Sequence, residues 1–95
     1  MFLVEITYTR PIEEIEAKTA EHRAWLDGQI ASGLLILTGP KVPRTGGILI
    51  ARGGQTLEEI TEAMKEDPFQ AHGLADYRIV EFAAGRMNPA LVDLV

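Results

Sequence analysis

Two kinds of apolar periodicity alternate along this chain of 95 residues, and their order limits the folds open to it. Alternation of apolar and less apolar side chains is typical of strands, whereas apolar residues at three- and four-residue steps mark one face of a helix. Strands are expected at residues 2–9, 34–38, 47–52 and 77–82, and helices at residues 12–30 and 57–64. The predicted order is therefore βαββαβ.

Several residues favour these boundaries. Gly33 can adopt the left-handed conformation that ends a helix. Thr56 followed three positions later by Glu59 has the spacing of a capping box at the start of the second helix. Asp67-Pro68 ends that helix, and a short helical turn is expected over residues 69–73.

The βαββαβ order predicts an α+β fold of the ferredoxin-like type, with a four-stranded antiparallel sheet and two helices on one face. The other face of the sheet is then bare. Residues 34–37 and 48–50 are apolar at both odd and even positions, so both faces of the central hairpin require cover. We expect a second copy to supply it, giving a homodimeric α/β barrel. Residues 1–85 form the domain, and residues 86–95 are a tail that can pack on the partner subunit.

Composition excludes several classes of protein. A formal charge of −5 without clustered Lys or Arg argues against nucleic acid as a partner. No apolar run approaches the roughly 20 residues that a membrane span needs. The first residues lack the features of a signal peptide and the chain has no cysteine, so a cytoplasmic location is expected.

His22 and Asp67 are the candidate catalytic residues. His22 lies on the apolar stripe of the first predicted helix, where an imidazole is costly to bury without a partner. It is either a half-buried core histidine or a general acid or base. Asp67 before Pro68 is by itself a common helix cap. The two roles of Asp67 are compatible if one carboxylate oxygen caps the helix and the other orients the imidazole.

The predicted hairpin tip, Gly39 to Gly46, is long for such a loop and carries two cations. Lys41 and Arg44 are either solvated turn residues or contacts for an anionic ligand. Trp25 is more typical of packing and His72 of a surface turn. The sequence has no metal-ligand spacing and no cofactor motif, which restricts an enzyme to unaided acid–base chemistry on a small molecule.

Three separated segments together resemble the YCII-related family. They are His22-Arg23-Ala24-Trp25-Leu26, Gly39-Pro40, and Asp67-Pro68-Phe69 followed by Gly73-Leu74-Ala75. The resemblance implies a dimeric α/β barrel sharing its architecture with muconolactone isomerases, and an active-site pair that corresponds to His22 and Asp67. The best-defined activity in that family is cofactor-independent removal of hydrogen chloride from a chlorinated hydroxyquinol.

Two functions follow as hypotheses. In the first, the protein is a lyase or isomerase in which His22 moves a proton on an aromatic, quinone or lactone substrate and Asp67 orients it. Gly39, Pro40, Lys41 and Arg44 are then the expected substrate contacts, with Lys41 or Arg44 stabilising a developing enolate or phenolate oxygen. In the second, the protein is a non-catalytic ligand-binding or accessory subunit, in which the same pair only orders a cleft.

Overall fold

A computed structural model describes residues 1–95 as one four-stranded antiparallel sheet with its helices on one face. The strands are β1 (Phe2–Tyr8), β2 (Leu35–Pro40), β3 (Gly46–Ala51) and β4 (Ala75–Glu81). The helices are α1 (Ile12–Ala31), α2 (Leu57–Met64) and α3 (Pro68–Ala71), and a single 3₁₀ turn (Pro89–Leu91) lies in the tail. The spatial order β2-β3-β1-β4 confirms the predicted ferredoxin-like fold. No helix combines the length and the apolar character needed to cross a membrane.

The predicted signals at the helix ends are confirmed. Gly33 has a φ of 87°, so it supplies the left-handed residue that stops α1. Thr56 and Glu59 form both hydrogen bonds of the capping box, which satisfies backbone N–H groups at the start of α2. The expected turn after Asp67 is the short helix α3.

The hairpin between β2 and β3 is tighter than its sequence indicates. Gly39 pairs with Ile48 and Pro40 pairs with Gly47, so the loop comprises only residues 41–45 instead of the predicted Gly39 to Gly46. Pro40 is accepted in a strand because β2 lies at the sheet edge, where a missing N–H need not interrupt a ladder. Likewise β4 begins at Ala75 rather than Tyr77, since Ala75 already pairs with Tyr8.

The core fills the space between one face of the sheet and the helices. Buried apolar side chains come from every strand and helix except the 3₁₀ turn. The core residues are Phe2, Val4, Ile6, Ile15, Leu35, Leu49, Ala51, Ile60, Met64, Phe69, Leu74 and Ala75. Ile12 and Ile30, at the two ends of the predicted stripe, are 40% and 44% exposed. A helix of 20 residues is about 30 Å long and so overhangs strands of seven residues or fewer.

The opposite face of the sheet has no helix over it. Leu3 pairs with Val80 of β4 and with Ile50 of β3, and Ile50 pairs with Leu37 of β2. Since paired residues point to the same face, these four side chains form one apolar row across the whole sheet. We call Leu3, Leu37, Ile50 and Val80 the uncovered row. Leu37 is 64% exposed and Val80 is 39% exposed.

Gly46 of β3 lies directly against the backbone of β1. A Cβ atom there would lie 1.8 Å from the carbonyl oxygen of Ile6, a backbone atom that cannot move aside independently of its strand. At Gly39, on the neighbouring strand β2, an added Cβ would meet nothing within 4 Å. A methyl group is thus excluded at Gly46 and accommodated at Gly39.

We expect Gly46→Ala to lower the free energy of unfolding by about 1–3 kcal/mol, because β3 must shift away from β1 to admit the methyl group. Gly39→Ala is the matched control and should stay within about 0.5 kcal/mol of the wild type. Urea unfolding followed by circular dichroism measures both. Equal stability of the two variants would contradict the close approach.

Candidate active site

Asp67 is a completely buried carboxylate at the start of α3. Its backbone is extended, and its Oδ1 atom accepts a hydrogen bond of 3.1 Å from the backbone N–H of Phe69. Pro68 occupies the first turn of this helix, where its missing N–H is not needed. Asp67 is therefore the helix cap that its sequence predicts.

His22 reaches the same carboxylate from α1, across 45 residues of sequence. Its Nδ1 atom lies 2.7 Å from Asp67 Oδ1, and its side chain is only 12% exposed. The imidazole also stacks on the Phe69 ring, with centroids 3.9 Å apart and planes 11° apart. The cap and the histidine contact therefore coexist, but the expectation that each uses a different carboxylate oxygen is wrong. One oxygen, Oδ1, serves both the helix and the imidazole.

The second carboxylate oxygen is occupied by Tyr77. The Tyr77 hydroxyl donates a short hydrogen bond to Asp67 Oδ2. Burial first, and then the negative charge of Asp67, raise the pKa of Tyr77 above its ordinary value. The phenol therefore keeps its proton and acts as a permanent donor.

Sequence analysis missed Tyr77, although a signal was present. Tyr77 pairs with Ile6 on the core-facing side of the sheet. A tyrosine directed toward a core usually finds a partner for its hydroxyl, so its parity in β4 predicts a buried acceptor nearby. What the sequence does not indicate is which acceptor, because Asp67 lies in a separate element.

The three contacts fix how the imidazole presents itself. Since a carboxylate only accepts hydrogen bonds, the neutral His22 ring carries its proton on Nδ1. The Nε2 atom is then left as the basic nitrogen. It has no hydrogen-bond partner within the chain, and His22 lines an open cleft. The arrangement can therefore accept a proton from a molecule in that cleft.

The cleft has a volume of about 370 Å³ and lies between α1 and the ends of β2 and β3 where they meet the loop at residues 41–45. Gly39, Pro40 and Arg44 line it together with His22, so four of the six predicted site residues surround one space. Asp67 is buried behind His22 and acts through it. Exposed Arg23 and Asp27 lie at the α1 side of the cleft.

The structure separates the two loop cations that the sequence grouped together. Lys41 Nζ lies 3.3 Å from Glu5 Oε2 and donates to Thr7 Oγ1 at 3.1 Å, on the face of the sheet that the helices leave bare. Lys41 therefore lies outside the cleft that Arg44 lines, although both were expected as contacts for a ligand. The reason is that β2 extends to Pro40: Pro40 faces the cleft, and strand alternation turns the next side chain away.

Arg44 lies in the cleft. Its Nη2 atom donates to Thr19 Oγ1 at 3.2 Å, and its guanidinium carbon lies 6.0 Å from the centre of the Tyr8 ring. Of the residues given lesser roles, Trp25 packs against the core and His72 is exposed at the end of α3.

The protein is thus a small ferredoxin-like domain that carries a histidine–aspartate pair beside a cleft. The sequence model of the YCII-related domain matches residues 1–83, and the chain belongs to this family. No curated protein matches it in sequence.

The fold is similar to that of 5-chloro-2-hydroxyhydroquinone dehydrochlorinase (TftG) from Burkholderia phenoliruptrix AC1100, solved in complex with 2,5-dihydroxybenzoquinone. The TM-score is 0.72 at 22% sequence identity, and the match covers 90% of this chain and 96% of that chain. At this identity the likeness shows the fold alone.

We expect Tyr77→Phe to lower the free energy of unfolding at pH 7 by about 1–3 kcal/mol, because a buried carboxylate oxygen loses its donor. Tyr8→Phe is the control, since it removes the other of the two tyrosine hydroxyls and leaves the partners of Asp67 intact. Urea unfolding of both variants measures the difference. A Tyr77→Phe variant as stable as Tyr8→Phe would contradict the contact.

The effect of Tyr77 should also depend on pH in a defined direction. Because the pKa of Tyr77 lies above its ordinary value of 10.0 in the folded protein, the folded chain retains a proton that the unfolded chain loses above that pH. The contribution of Tyr77 is therefore complete below about pH 10 and declines as the pH rises further. The stability gap between wild type and Tyr77→Phe should stay constant up to about pH 10 and narrow as the pH rises above it.

Proposed function

We propose that this protein is a cofactor-independent enzyme of the lyase or isomerase type that transfers a proton on a small ring substrate. The observation that carries the proposal is the contact of 2.7 Å between His22 Nδ1 and a fully buried Asp67, with Nε2 left unbonded at a cleft. A carboxylate behind an imidazole fixes its tautomer and stabilises the imidazolium that forms when the ring accepts a proton.

Each contact of the pair has a part in this step. Nε2 of His22 accepts a proton from a C–H or O–H group of the substrate, while Asp67 holds the Nδ1 proton in place. The charge that appears on the imidazole is balanced by the Asp67 carboxylate. Tyr77 and the Phe69 N–H hold that carboxylate in its orientation, and the Phe69 ring holds the plane of the imidazole. The same imidazolium can return its proton to another atom of the substrate.

The size of the cleft favours a compact substrate. A volume of about 370 Å³ is at the lower end of small-molecule sites, which suits a single ring with its substituents. TftG, which shares the fold, was solved with 2,5-dihydroxybenzoquinone, a molecule of this size. Chlorinated hydroxyhydroquinones and small lactones are therefore the first compounds to assay.

His22→Asn should lower kcat by about 10²–10⁴-fold on any substrate that the protein turns over, because it removes the proton acceptor. Asp67→Asn should also lower kcat, since the amide no longer balances the imidazolium. His72→Asn, which removes the other histidine of the chain at an exposed position, is the matched control and should keep full activity. Chloride release and the ultraviolet spectrum of the product report turnover.

If His22→Asn retains the turnover of the wild type, the acid–base role is wrong. If compounds bind to the wild type and remain chemically intact after long incubation, the non-catalytic alternative replaces the enzyme.

The proposal includes a homodimer in which a second copy packs on the uncovered row. Four apolar side chains in line across a sheet, with Leu37 64% exposed, form a contiguous patch that a monomer seldom leaves in water. Pairing of two such faces would give the dimeric α/β barrel. Leu91, Val92 and Leu94 of the tail are also exposed and would pack on the partner in the same assembly.

A cytoplasmic location belongs to this proposal because the chain contains no cysteine.

Leu37→Lys should shift the protein from dimer to monomer, because it places a charge in the middle of the proposed interface. Val42→Lys is the matched control, since Val42 is 97% exposed in the loop and lies outside the row. Analytical ultracentrifugation should give twice the chain mass of 10.4 kDa for the wild type and the control, and the single mass for Leu37→Lys. A wild type that sediments as a monomer at micromolar concentration would exclude the dimer.

A further inference from the structure

Most cations of this chain are paired with a carboxylate, and the unpaired ones are unevenly placed. Five of the nine Lys and Arg side chains lie within 4.0 Å of an acidic oxygen: Arg10, Lys18, Lys41, Lys65 and Arg78. Of the remaining four, Arg23 and Arg44 both line the cleft beside His22. In a chain with 14 acidic residues and a net charge of −5, two free guanidinium groups at one cleft are an exception that calls for an anion.

Arg44 is the better placed of the two. Only its Nη2 atom is engaged, by the Thr19 hydroxyl, so most of the five donors of the guanidinium stay available. Thr19 in turn donates to the carbonyl oxygen of Ile15, which fixes the acceptor that holds Arg44. The side chain is thus restrained at the wall of the cleft without being neutralised.

The spacing between Arg44 and His22 suits a single ring. Thr19, which binds Arg44, precedes His22 by three residues on α1, and side chains at that spacing share one face with Cβ atoms roughly 5–6 Å apart. A six-membered ring with an oxygen substituent can therefore contact the guanidinium at one edge and Nε2 at another.

The acidic groups at the cleft do not contact Arg44. Asp67 is buried behind His22 and is engaged by three donors. Asp27 is the one acidic residue that lines the cleft, and Arg23 on the same helix offsets it. Arg44 thus has no carboxylate in contact with its guanidinium, and its one hydrogen-bond partner is the Thr19 hydroxyl.

We propose that the cleft selects substrates that already carry an anionic oxygen, as a carboxylate, phenolate or enolate on a single ring, and that Arg44 binds this oxygen while His22 faces the reacting atom. The inference rests on the proposed function for the role of His22, but the binding preference itself needs no turnover. It also differs from the sequence expectation, because it assigns the anion to Arg44 and not to Lys41.

The test compares the binding of matched anionic and neutral rings by isothermal titration calorimetry. Benzoate is paired with benzamide, and 4-nitrophenolate, at a pH where it is ionised, with 4-nitroanisole. The wild type should prefer each anion over its neutral analogue by about 10- to 100-fold, as expected for hydrogen bonds to a charged group. Preference for benzoate alone would identify a carboxylate site, and preference for 4-nitrophenolate alone would identify a phenolate site.

Arg44→Met should abolish the preference, and Arg44→Lys should retain part of it, because the charge remains while the planar fork is lost. Arg86→Met, which removes an arginine of the tail, and Lys41→Met should both bind like the wild type. Circular dichroism confirms that each variant is folded.

Equal binding of anionic and neutral rings by the wild type would overturn the proposal, and so would an unchanged preference in Arg44→Met or a loss of preference in Lys41→Met. These outcomes are independent of the assay on His22. If the protein prefers anionic rings but never converts them, the anion site at Arg44 stands and only the proposed enzymatic activity is refuted.

Discussion

The buried carboxylate of Asp67 is the interaction on which the rest of the site depends. Its three donors come from three elements, the N–H of Phe69 in α3, the imidazole of His22 in α1 and the phenol of Tyr77 in β4. A buried anion is tolerated only when its lone pairs are filled, so each of these elements must be in position before the charge is stable. The same bonds that satisfy Asp67 therefore align the helices over the sheet and orient the imidazole at the cleft.

The fold could be predicted from the sequence because its signals are local. Apolar alternation in β1, the stripe of α1 and the capping box of Thr56 each depend on neighbouring residues only, and the order of elements then admits one common topology. The strand ends were less predictable. In the sequence, Pro40 resembles a residue that ends a strand, but it lies within the edge strand β2, where a proline is accommodated.

The site could be predicted only in part, for reasons of geometry. Local sequence patterns place His22 on an apolar stripe and Asp67 before Pro68 at a helix start. The contact between the two residues spans 45 residues of sequence, and the family resemblance also suggested it. Tyr77 was missed because no pattern in β4 indicates which acceptor its hydroxyl meets. Lys41 lies outside the cleft because it directly follows Pro40, which faces the cleft at the end of β2, and successive side chains of an extended chain point to opposite sides; loop composition does not reveal that parity.

The wall of the cleft opposite α1 is formed largely by main chain. Gly39, Gly46 and Gly47 all line it beside Thr38 and Pro40, so much of that side of the cavity presents main chain to a ligand. The three positions differ in what they permit, because Gly46 and Gly47 face backbone oxygens at 1.8 and 3.2 Å from an added Cβ while Gly39 faces open space. The open space at Gly39 lies on the other side of the sheet, because Gly39 pairs with Ile48, which pairs with Glu5. Gly47 pairs with Ile6 and Pro40 on the cleft side of the sheet, so a side chain that narrows the cavity from this wall must start there and displace the Gly39 carbonyl oxygen by a few tenths of an ångström.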